Sequence, residues 1–462
     1  MNPFVGAALL GLLHGPAGPA APPPLAAYVV LGEGGSAVAR VVTRDASCPA
    51  IRVNGRARPM SLRDGPSTEP RRPTASRPEL SKASAFPVSV CEATLPRGAK
   101  RVSVSGLRLP APRRRINRLL VIGDTGCRLK ASDNAYQRCN RRAEWPFARI
   151  AALGAAWKPD LIIHVGDYHY RESPCPEDIG HTGCQGSPWG YGWDAWDADW
   201  FAPAAPLFKA APLVLARGNH ENCFRAGQGW FRFLDPMPLT AGRDCNDPAK
   251  DFEGDHSAPY AVPLGGGTQI VVMDMANAPT KAMDSADPRA AQLRGDYDAL
   301  AALAKEARST LMVTHKPILG FGGQTSGGKV TLFPGNSAIQ SAFAAENPAM
   351  FPAGVDVLLA GHVHLWEQVS FATAFPSQFI AGFSGTQEET VPLPVRPPAD
   401  VTPAPGAVVD EFSSWIEGFG YMTLERRGPR RWAVTVWNVE GKPVNRCRID
   451  GRKSVCERAK IT

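Results

Sequence analysis

The sequence lacks any apolar run of about 20 residues, and this absence excludes a polytopic membrane protein. None of its ten cysteines forms a CxxC pair, so neither a zinc ribbon nor a thioredoxin-type site is indicated. No internal repeat recurs at a fixed period, which argues against a repeat array. With 462 residues, 44% of them hydrophobic and 20% charged, the chain is too apolar for general disorder and long enough for two or three domains.

The charge balance says little about a partner. The formal net charge of +8 favours anionic partners only in a general way. Residues 62–82 are rich in proline, serine and charge and predict a solvated loop. Because no aromatic residues interleave with the arginines of that segment, we do not expect nucleic acid as a partner.

The ten cysteines are even in number and fall into sequence-local couples, which predict five disulfides. The couples are Cys48 with Cys91, Cys127 with Cys139, Cys175 with Cys184, Cys223 with Cys245, and Cys447 with Cys456. Disulfides indicate an oxidising compartment, so the protein is expected to be secreted or periplasmic.

The first 20 residues are consistent with a signal peptide. Residues 4–13 are apolar over a signal-peptide length, and residues 18–20 end in the small side chains that a signal peptidase accepts. The segment has no lysine or arginine, however, and the alternative is an N-terminal tail rich in alanine and proline.

The predicted secondary structure changes near residue 115. Before that point, short β-branched runs at 28–31, 37–42, 87–90 and 101–104 predict a small all-β domain over residues 28–112. Beyond it, strands alternate with helices at 144–157 and 288–307, which predicts an α/β domain over 116–445 and a tail over 446–462. The predicted strands of this α/β domain are 119–122, 161–165, 213–216, 269–273, 311–314, 355–360, 421–424 and 432–437.

Five of these strands run directly into a short polar cluster. The clusters are 123–126 (GDTG), 166–170 (GDYHY), 218–221 (GNHE), 313–315 (VTH) and 361–364 (GHVH). In α/β sheets, ligands bind where the loops at the carboxyl ends of the strands converge. Carboxylate, amide, phenol and imidazole groups are together the ligands that a hard or borderline metal prefers. His362 and His364 are two residues apart, so on extended backbone they point the same way and can serve adjacent metals.

The five clusters, in this order, resemble those of the calcineurin-like metallophosphoesterase superfamily. The tyrosine of the GDxxY cluster is similar to that of the purple acid phosphatases. The resemblance covers residues 118–367 directly, and the β unit before it is similar in placement to the N-terminal β domain of larger members. The fold implied is a four-layer α/β/β/α sandwich, two sheets packed face to face with helices outside, together with a small N-terminal all-β domain.

The resemblance also implies two metal ions, one ferric and one divalent (Fe, Zn or Mn), with Asp167 bridging them. The ligands it implies for the ferric ion are Asp124, Tyr170 and His364. The ligands it implies for the divalent ion are Asn219, His315 and His362. A phenol with a pKa of about 10 binds a metal only when deprotonated, and a trivalent, oxygen-loving cation favours that form.

The activity implied is a phosphatase that hydrolyses small phosphate monoesters through a metal-bound hydroxide. His220 would be the catalytic residue outside the metal ligands, orienting the phosphate or protonating the leaving alcohol. A phosphodiesterase or nucleotidase on the same centre is the alternative. Plant-like members carry histidines in the segment that corresponds to 320–328, which has none here, so substrate preference does not carry over. A non-catalytic envelope binding protein is disfavoured because all five clusters are intact, and the oligomeric state leaves no trace in the sequence.

Several residues outside this set have competing interpretations. His164 lies in an apolar run and is predicted to be a satisfied core histidine. Trp193, Trp196 and Trp200 form a helical stripe that favours core packing over substrate stacking. Three residues either line the site or lie in an exposed loop: His169, Arg171 and Glu172.

Overall fold

The computed structural model of the protein describes residues 23–72, 78–177, 183–326, 329–387, 393 and 401–458. The predicted signal peptide, residues 1–20, lies outside these ranges. The first ten strands are β1 Ala26–Leu31, β2 Ala37–Thr43, β3 Ala50–Val53, β4 Arg56–Pro59, β5 Ser61–Asp64, β6 Ser67–Glu69, β7 Ser84–Phe86, β8 Ser89–Leu95, β9 Val102–Val104 and β10 Leu107–Leu109. The next thirteen are β11 Arg118–Ile122, β12 Leu129–Lys130, β13 Ala135–Tyr136, β14 Leu161–His164, β15 Leu213–Leu215, β16 Tyr260–Gly265, β17 Thr268–Val272, β18 Ser309–Val313, β19 Gly322–Ser326, β20 Lys329–Phe333, β21 Val355–Ala360, β22 Trp366–Phe371 and β23 Ser377–Ala381. The last five are β24 Val409–Trp415, β25 Gly420–Arg426, β26 Arg431–Asn438, β27 Pro443–Asp450 and β28 Lys453–Arg458.

Seven α-helices lie within the described ranges. They are α1 Phe147–Ala156, α2 Trp193–Trp196, α3 Ala202–Ala210, α4 Gly227–Gly229, α5 Asp251–Gly254, α6 Pro288–Ala304 and α7 Ser337–Glu346. Helix α6 begins where the sequence favours a helix start, because Pro288 suits the first turn and the Asp287 side chain accepts from the Arg289 N–H. Within the residues described, no helix is both long and apolar enough to cross a membrane.

Two large sheets form the centre of the molecule. The first has eleven strands in the order β28-β27-β26-β25-β11-β14-β15-β1-β2-β8-β5. The second has seven strands in the order β16-β17-β18-β21-β23-β22-β24. Strands β11, β14 and β15 run parallel in the first sheet, as do β17, β18, β21 and β23 in the second.

Side-chain alternation assigns the two faces of each central strand to different cores. Leu119 of β11 and Leu311 of β18 lie in one buried cluster between the sheets. Leu120 instead packs with residues of α1 and α3, and Met312 packs with residues of α6 and α7. The layers therefore run helix, sheet, sheet, helix, and the predicted four-layer α/β/β/α fold is confirmed.

The two ends of the chain complete the first sheet. The N-terminal region is rich in strands, as predicted, and its β1, β2, β8 and β5 continue that sheet, with Val30 of β1 registered against Leu213 of β15. Strands β3, β4, β9 and β10 form a separate four-stranded sheet. Up to residue 458, the segment predicted as a tail belongs to the edge strands β27 and β28. The domain boundaries at 112 and 445 stay predictions.

The prediction of a solvated loop over residues 62–82 is wrong for two of its arginines. The Arg63 side chain is buried and donates to the main-chain carbonyls of Phe231 and Met237. The Arg72 side chain is also buried and donates to the carbonyl of Cys223. A guanidinium can be buried where carbonyl oxygens satisfy its N–H groups, and a pattern of charge along the sequence does not reveal those partners.

All five predicted disulfides are present with the predicted pairing. Cys48–Cys91 has the largest sequence separation, 43 residues, and ties β8 to the loop after β2. Cys447–Cys456 spans 9 residues and joins paired positions of β27 and β28.

These separations predict unequal contributions to stability. A disulfide restricts the unfolded chain more when it closes a longer loop, which corresponds to about 4 kcal/mol for Cys48–Cys91 and about 2.5 kcal/mol for Cys447–Cys456. Replacing both cysteines of each pair by serine should therefore lower the free energy of unfolding more for the first pair. Denaturant unfolding of the two double variants measures this, and the reverse order would contradict it.

Candidate metal centre

The five polar clusters meet at one place between the sheets. Three of them follow the carboxyl ends of β11, β14 and β15 in the first sheet, and two follow β18 and β21 in the second. Parallel strands bring their carboxyl ends to the same edge, so the loops converge there. The structure brings together all seven residues that the resemblance proposes as metal ligands.

One half of the centre is built around the Tyr170 hydroxyl. It lies 3.2 Å from Asp124 Oδ1 and 2.8 Å from His364 Nε2. His364 Nδ1 lies 2.8 Å from the Gln387 carbonyl oxygen, and this contact orients Nε2 toward the centre. These three side chains are the predicted ferric ligands.

The other half is built around His315. Its Nε2 lies 2.9 Å from Asn219 Oδ1, and its Nδ1 lies 2.9 Å from the Val165 carbonyl oxygen, which orients the ring. His362 completes this half, because ligand atoms of Asp167, His315 and His362 all lie within 4.8 Å of one another. His315 and His362, with Asn219, are the predicted ligands of the divalent ion.

Asp167 contacts both halves. Its Oδ2 accepts from the Tyr170 hydroxyl at 2.7 Å and lies 3.1 Å from His315 Nε2. Its Oδ1 accepts from the main-chain N–H of His220 at 2.9 Å. A single carboxylate between two groups of donors has the placement that a bridging ligand requires.

Three of the predicted ligands have left-handed backbone conformations. The φ angles are +53° at Asp124, +60° at Asp167 and +72° at His362. Such conformations cost about 1–3 kcal/mol each for a residue with a Cβ and concentrate at functional sites. The turns also need Gly218, where a Cβ would overlap the Asp167 carboxylate.

Burial governs the protonation of the centre. Burial raises the pKa of the Tyr170 hydroxyl well above its ordinary value, and the carboxylates of Asp167 and Asp124 add to that rise. Burial alone would also raise the pKa of Asp167, but the charges of His315 and His220 hold it well below its ordinary value. Metal binding selects the deprotonated form of each donor, so a bound cation would oppose the rise in the pKa of Tyr170.

The donors fit a pair of metal ions. Two carboxylates, an amide oxygen, a phenol and three imidazoles converge, and two of the imidazoles are oriented by main-chain carbonyls. Oxygen and imidazole donors suit iron, zinc and manganese. The residues present therefore match the chemistry of a dimetal centre.

His220 lies beside this centre and contacts Glu172, which the sequence predicts either to line the site or to lie in an exposed loop. Its ring packs on that of Tyr170 with 3.8 Å between centroids, and its Nε2 lies 4.0 Å from Asp167 Oδ2. Its Nδ1 lies 2.7 Å from Oε1 of the buried Glu172. Burial and the nearby Arg225 lower the pKa of His220 to about 4. The interpretation of Glu172 as an exposed loop residue is therefore wrong.

Glu221 is a site residue that sequence reasoning missed. Its Oε1 accepts from the N–H groups of Tyr168 and His169, and its Oε2 accepts from those of Asp167 and Gly218, at 2.8–3.1 Å. These four bonds fix the turn that carries Asp167 to the turn that carries Asn219. The only sequence signal is that a carboxylate follows His220 directly in a cluster already interpreted as functional.

The structure also decides between the competing interpretations of the other residues near the predicted site. His164 is a satisfied core residue, since its Nδ1 accepts from the Gly166 N–H and its Nε2 lies 3.0 Å from Thr125 Oγ1. The tryptophan stripe packs in the core, as predicted. His169 and Arg171 are buried rather than exposed. The segment after His315 that lacks histidine, 320–328, contains strand β19, which pairs with β20.

Comparisons with known proteins agree with this architecture. A purple acid phosphatase, PPD1 from yellow lupin (Lupinus luteus) seeds, is similar in structure with a TM-score of 0.54 and 12% identity, covering 94% of this chain and 74% of that one. PhoD is similar with a TM-score of 0.52 and 13% identity, covering 96% of this chain and 94% of that one. At these identities the likeness shows the fold. Among curated proteins, none matches the chain significantly.

The family assignment comes from the motif-bearing part of the chain. The family described as calcineurin-like phosphoesterase matches residues 117–365, which include all five clusters and more than half of the sequence. The chain therefore belongs to the calcineurin-like phosphoesterase family.

Proposed function

We propose that the protein is a binuclear-metal phosphatase that hydrolyses phosphate monoesters. The observation that carries this proposal is the placement of Asp167 between two groups of donors, one around Tyr170 and one around His315. When bound, the two metal ions would supply a nucleophile at neutral pH and neutralise charge on the phosphoryl oxygens. The five disulfides support secretion or export to a periplasm.

We propose for each metal the ligands that the family resemblance implies, and the proximity of these side chains supports that proposal. Asp124, Tyr170 and His364 would hold the ferric ion. Asn219, His315 and His362 would hold the divalent ion, with Asp167 shared between the two. These seven side chains come from five separate loops, so their positions depend on both sheets.

His220 is the proposed catalytic residue outside the metal ligands. The buried carboxylate of Glu172 faces its Nδ1, which leaves Nε2 directed toward the centre. A bound phosphate dianion adds negative charge beside the ring and favours the protonated imidazole. His220 would then hold a proton at Nε2 for the leaving alcohol.

Metal analysis with a visible absorption spectrum tests the metal assignment. We expect about two metal ions per chain, iron among them, and a broad band at roughly 500–600 nm from phenolate-to-iron charge transfer. Tyr170→Phe removes the phenol while leaving the ring packed on His220, so that variant should lose the band. A colourless wild-type protein with two zinc or manganese ions would overturn the iron assignment. An intact band in the variant would overturn the role of Tyr170.

A further inference from the structure

We propose that Arg225 binds the phosphoryl group of the substrate and makes the site selective for phosphomonoesters over phosphodiesters. This inference rests on the proposed phosphatase function and deepens it. Arg225 lies six residues after the predicted ligand Asn219, outside the five clusters that resemble the family's motifs.

The Arg225 guanidinium lies at the edge of the metal centre. Its Nη1 donates to the main-chain carbonyl of Asn219 at 3.4 Å, and its Nε lies 3.6 Å from Glu172 Oε1. The same Glu172 oxygen lies 2.7 Å from His220 Nδ1. The guanidinium is thus next to the residue proposed to protonate the leaving group and to the main chain of a proposed metal ligand.

Protein partners use little of the hydrogen-bonding capacity of this arginine. An arginine has five N–H donors, and among the described residues Arg225 has one side-chain hydrogen bond, the long one to Asn219. Its distance to Glu172 exceeds that of a good hydrogen bond. The side chain is 13% exposed, whereas the Glu172 side chain is fully buried. Unused N–H donors therefore remain on a side chain that solvent reaches.

The loop that carries Arg225 is held from several sides. Cys223 forms a disulfide with Cys245, its N–H donates to Asp255 Oδ1 at 2.7 Å, and its carbonyl accepts from Arg72. The Arg225 N–H donates to the carbonyl of Asn222 at 3.0 Å. A positioned cation loses less conformational entropy on binding a ligand than a flexible one, so this loop is suited to recognition.

The position of Arg225 favours phosphomonoesters because they differ from diesters in charge and in the number of free oxygens. A phosphomonoester has three unsubstituted oxygens and up to two negative charges, whereas a diester has two such oxygens and one charge. The planar guanidinium can donate two N–H bonds to phosphate oxygens, and such charge-assisted bonds are among the strong ones. A fixed cation beyond the metals therefore favours the substrate that has the additional oxygen and charge.

Two independent measurements on the metal-loaded protein test the proposal. The first is kcat/KM for 4-nitrophenyl phosphate and for bis(4-nitrophenyl) phosphate, and the second is the Kd of inorganic phosphate by calorimetry. For Arg225→Ala we expect kcat/KM to fall about 100-fold for the monoester and no more than about 3-fold for the diester, with phosphate binding weakened about 10-fold or more. Arg225→Lys keeps the positive charge but loses the planar pair of N–H donors. Its kcat/KM for the monoester and its Kd for phosphate should lie between those of Arg225→Ala and the wild type.

The matched control is Arg427→Ala. Arg427 is exposed, pairs with Glu425 at 2.6 Å and follows β25 at the end of the sheet away from the centre. Its replacement should change neither measurement.

Equal losses for both substrates with unchanged phosphate affinity would overturn the proposal, because Arg225 would then act only by positioning Glu172 and His220. A wild-type protein that holds two metals but hydrolyses neither ester would overturn the proposed function instead. Phosphate calorimetry would still decide the role of Arg225 in that case, since it requires no turnover.

Discussion

Replacing Asp167 by asparagine is expected to lower kcat/KM for an aryl phosphate by at least about 10³-fold and to reduce the bound metal. Asp167 Oδ2 contacts both Tyr170 and His315, the central residues of the two halves. Asparagine has no negative charge and offers one oxygen, so it cannot serve both halves. Its side-chain oxygen can still accept the His220 N–H that Asp167 Oδ1 accepts in the native protein, so the turn should persist.

Elemental analysis and steady-state kinetics on the same preparation provide the measurement. Asp356→Asn is a suitable control, because Asp356 is another buried aspartate but lies near the start of β21 and bonds to Ser309 and Arg430. That control should keep its metals. If the Asp167 variant also kept two metals and most of its activity, the bridging role would be wrong.

Glu221→Gln is expected to lower the free energy of unfolding by about 2–4 kcal/mol and kcat/KM by about 10- to 100-fold. Each carboxylate oxygen of Glu221 accepts two main-chain N–H bonds. A glutamine amide has one oxygen, and its NH₂ group would face two of those donors, leaving them buried without an acceptor. The turn that positions Asp167 would then lose half of its support.

Glu367→Gln is the matched control for this substitution. Glu367 is also fully buried, but it accepts one main-chain N–H, from Phe321, which the oxygen of a glutamine can accept equally well. Burial raises the pKa of Glu367 well above its ordinary value, and burial together with the Asp167 charge raises the pKa of Glu221 to about 8, so the two variants differ in hydrogen bonding rather than in the direction of their pKa shifts. We expect this control to be nearly neutral in denaturant unfolding. Similar losses in the two variants would show that burial of a glutamate, rather than the four bonds of Glu221, is what matters.

The sequence was most informative where local pattern determines structure. The apolar runs that form β11, β14, β18 and β21 ended within one or two residues of the observed strands, and the polar clusters after them do converge. Apolar runs bounded by glycine-containing polar clusters sufficed there because both the strand and the position of its functional residue follow from local order along the chain.

Long-range pairing limited the rest of the prediction. The roles of Glu172 and Glu221 depend on contacts made only after folding, with His220 in one case and with the turn around Asp167 in the other. The buried Arg63 and Arg72 donate to carbonyls more than 150 residues away in sequence, and Arg72 also pairs with Asp251. Local sequence patterns do not encode such partners, so a charge-rich segment predicts exposure even where the fold buries it.

The first sheet combines strands from the beginning, the middle and the end of the chain, and this determines when it can form during synthesis. Its strand β1, near the start of the chain, lies against β15, and its central β11 lies between β14 and β25, which ends at Arg426. Pairings so distant in sequence carry a large loop-closure entropy and form slowly. The sheet that carries Asp124, Asp167 and Asn219 therefore cannot be completed until the C-terminal strands on one side of β11 have been synthesised.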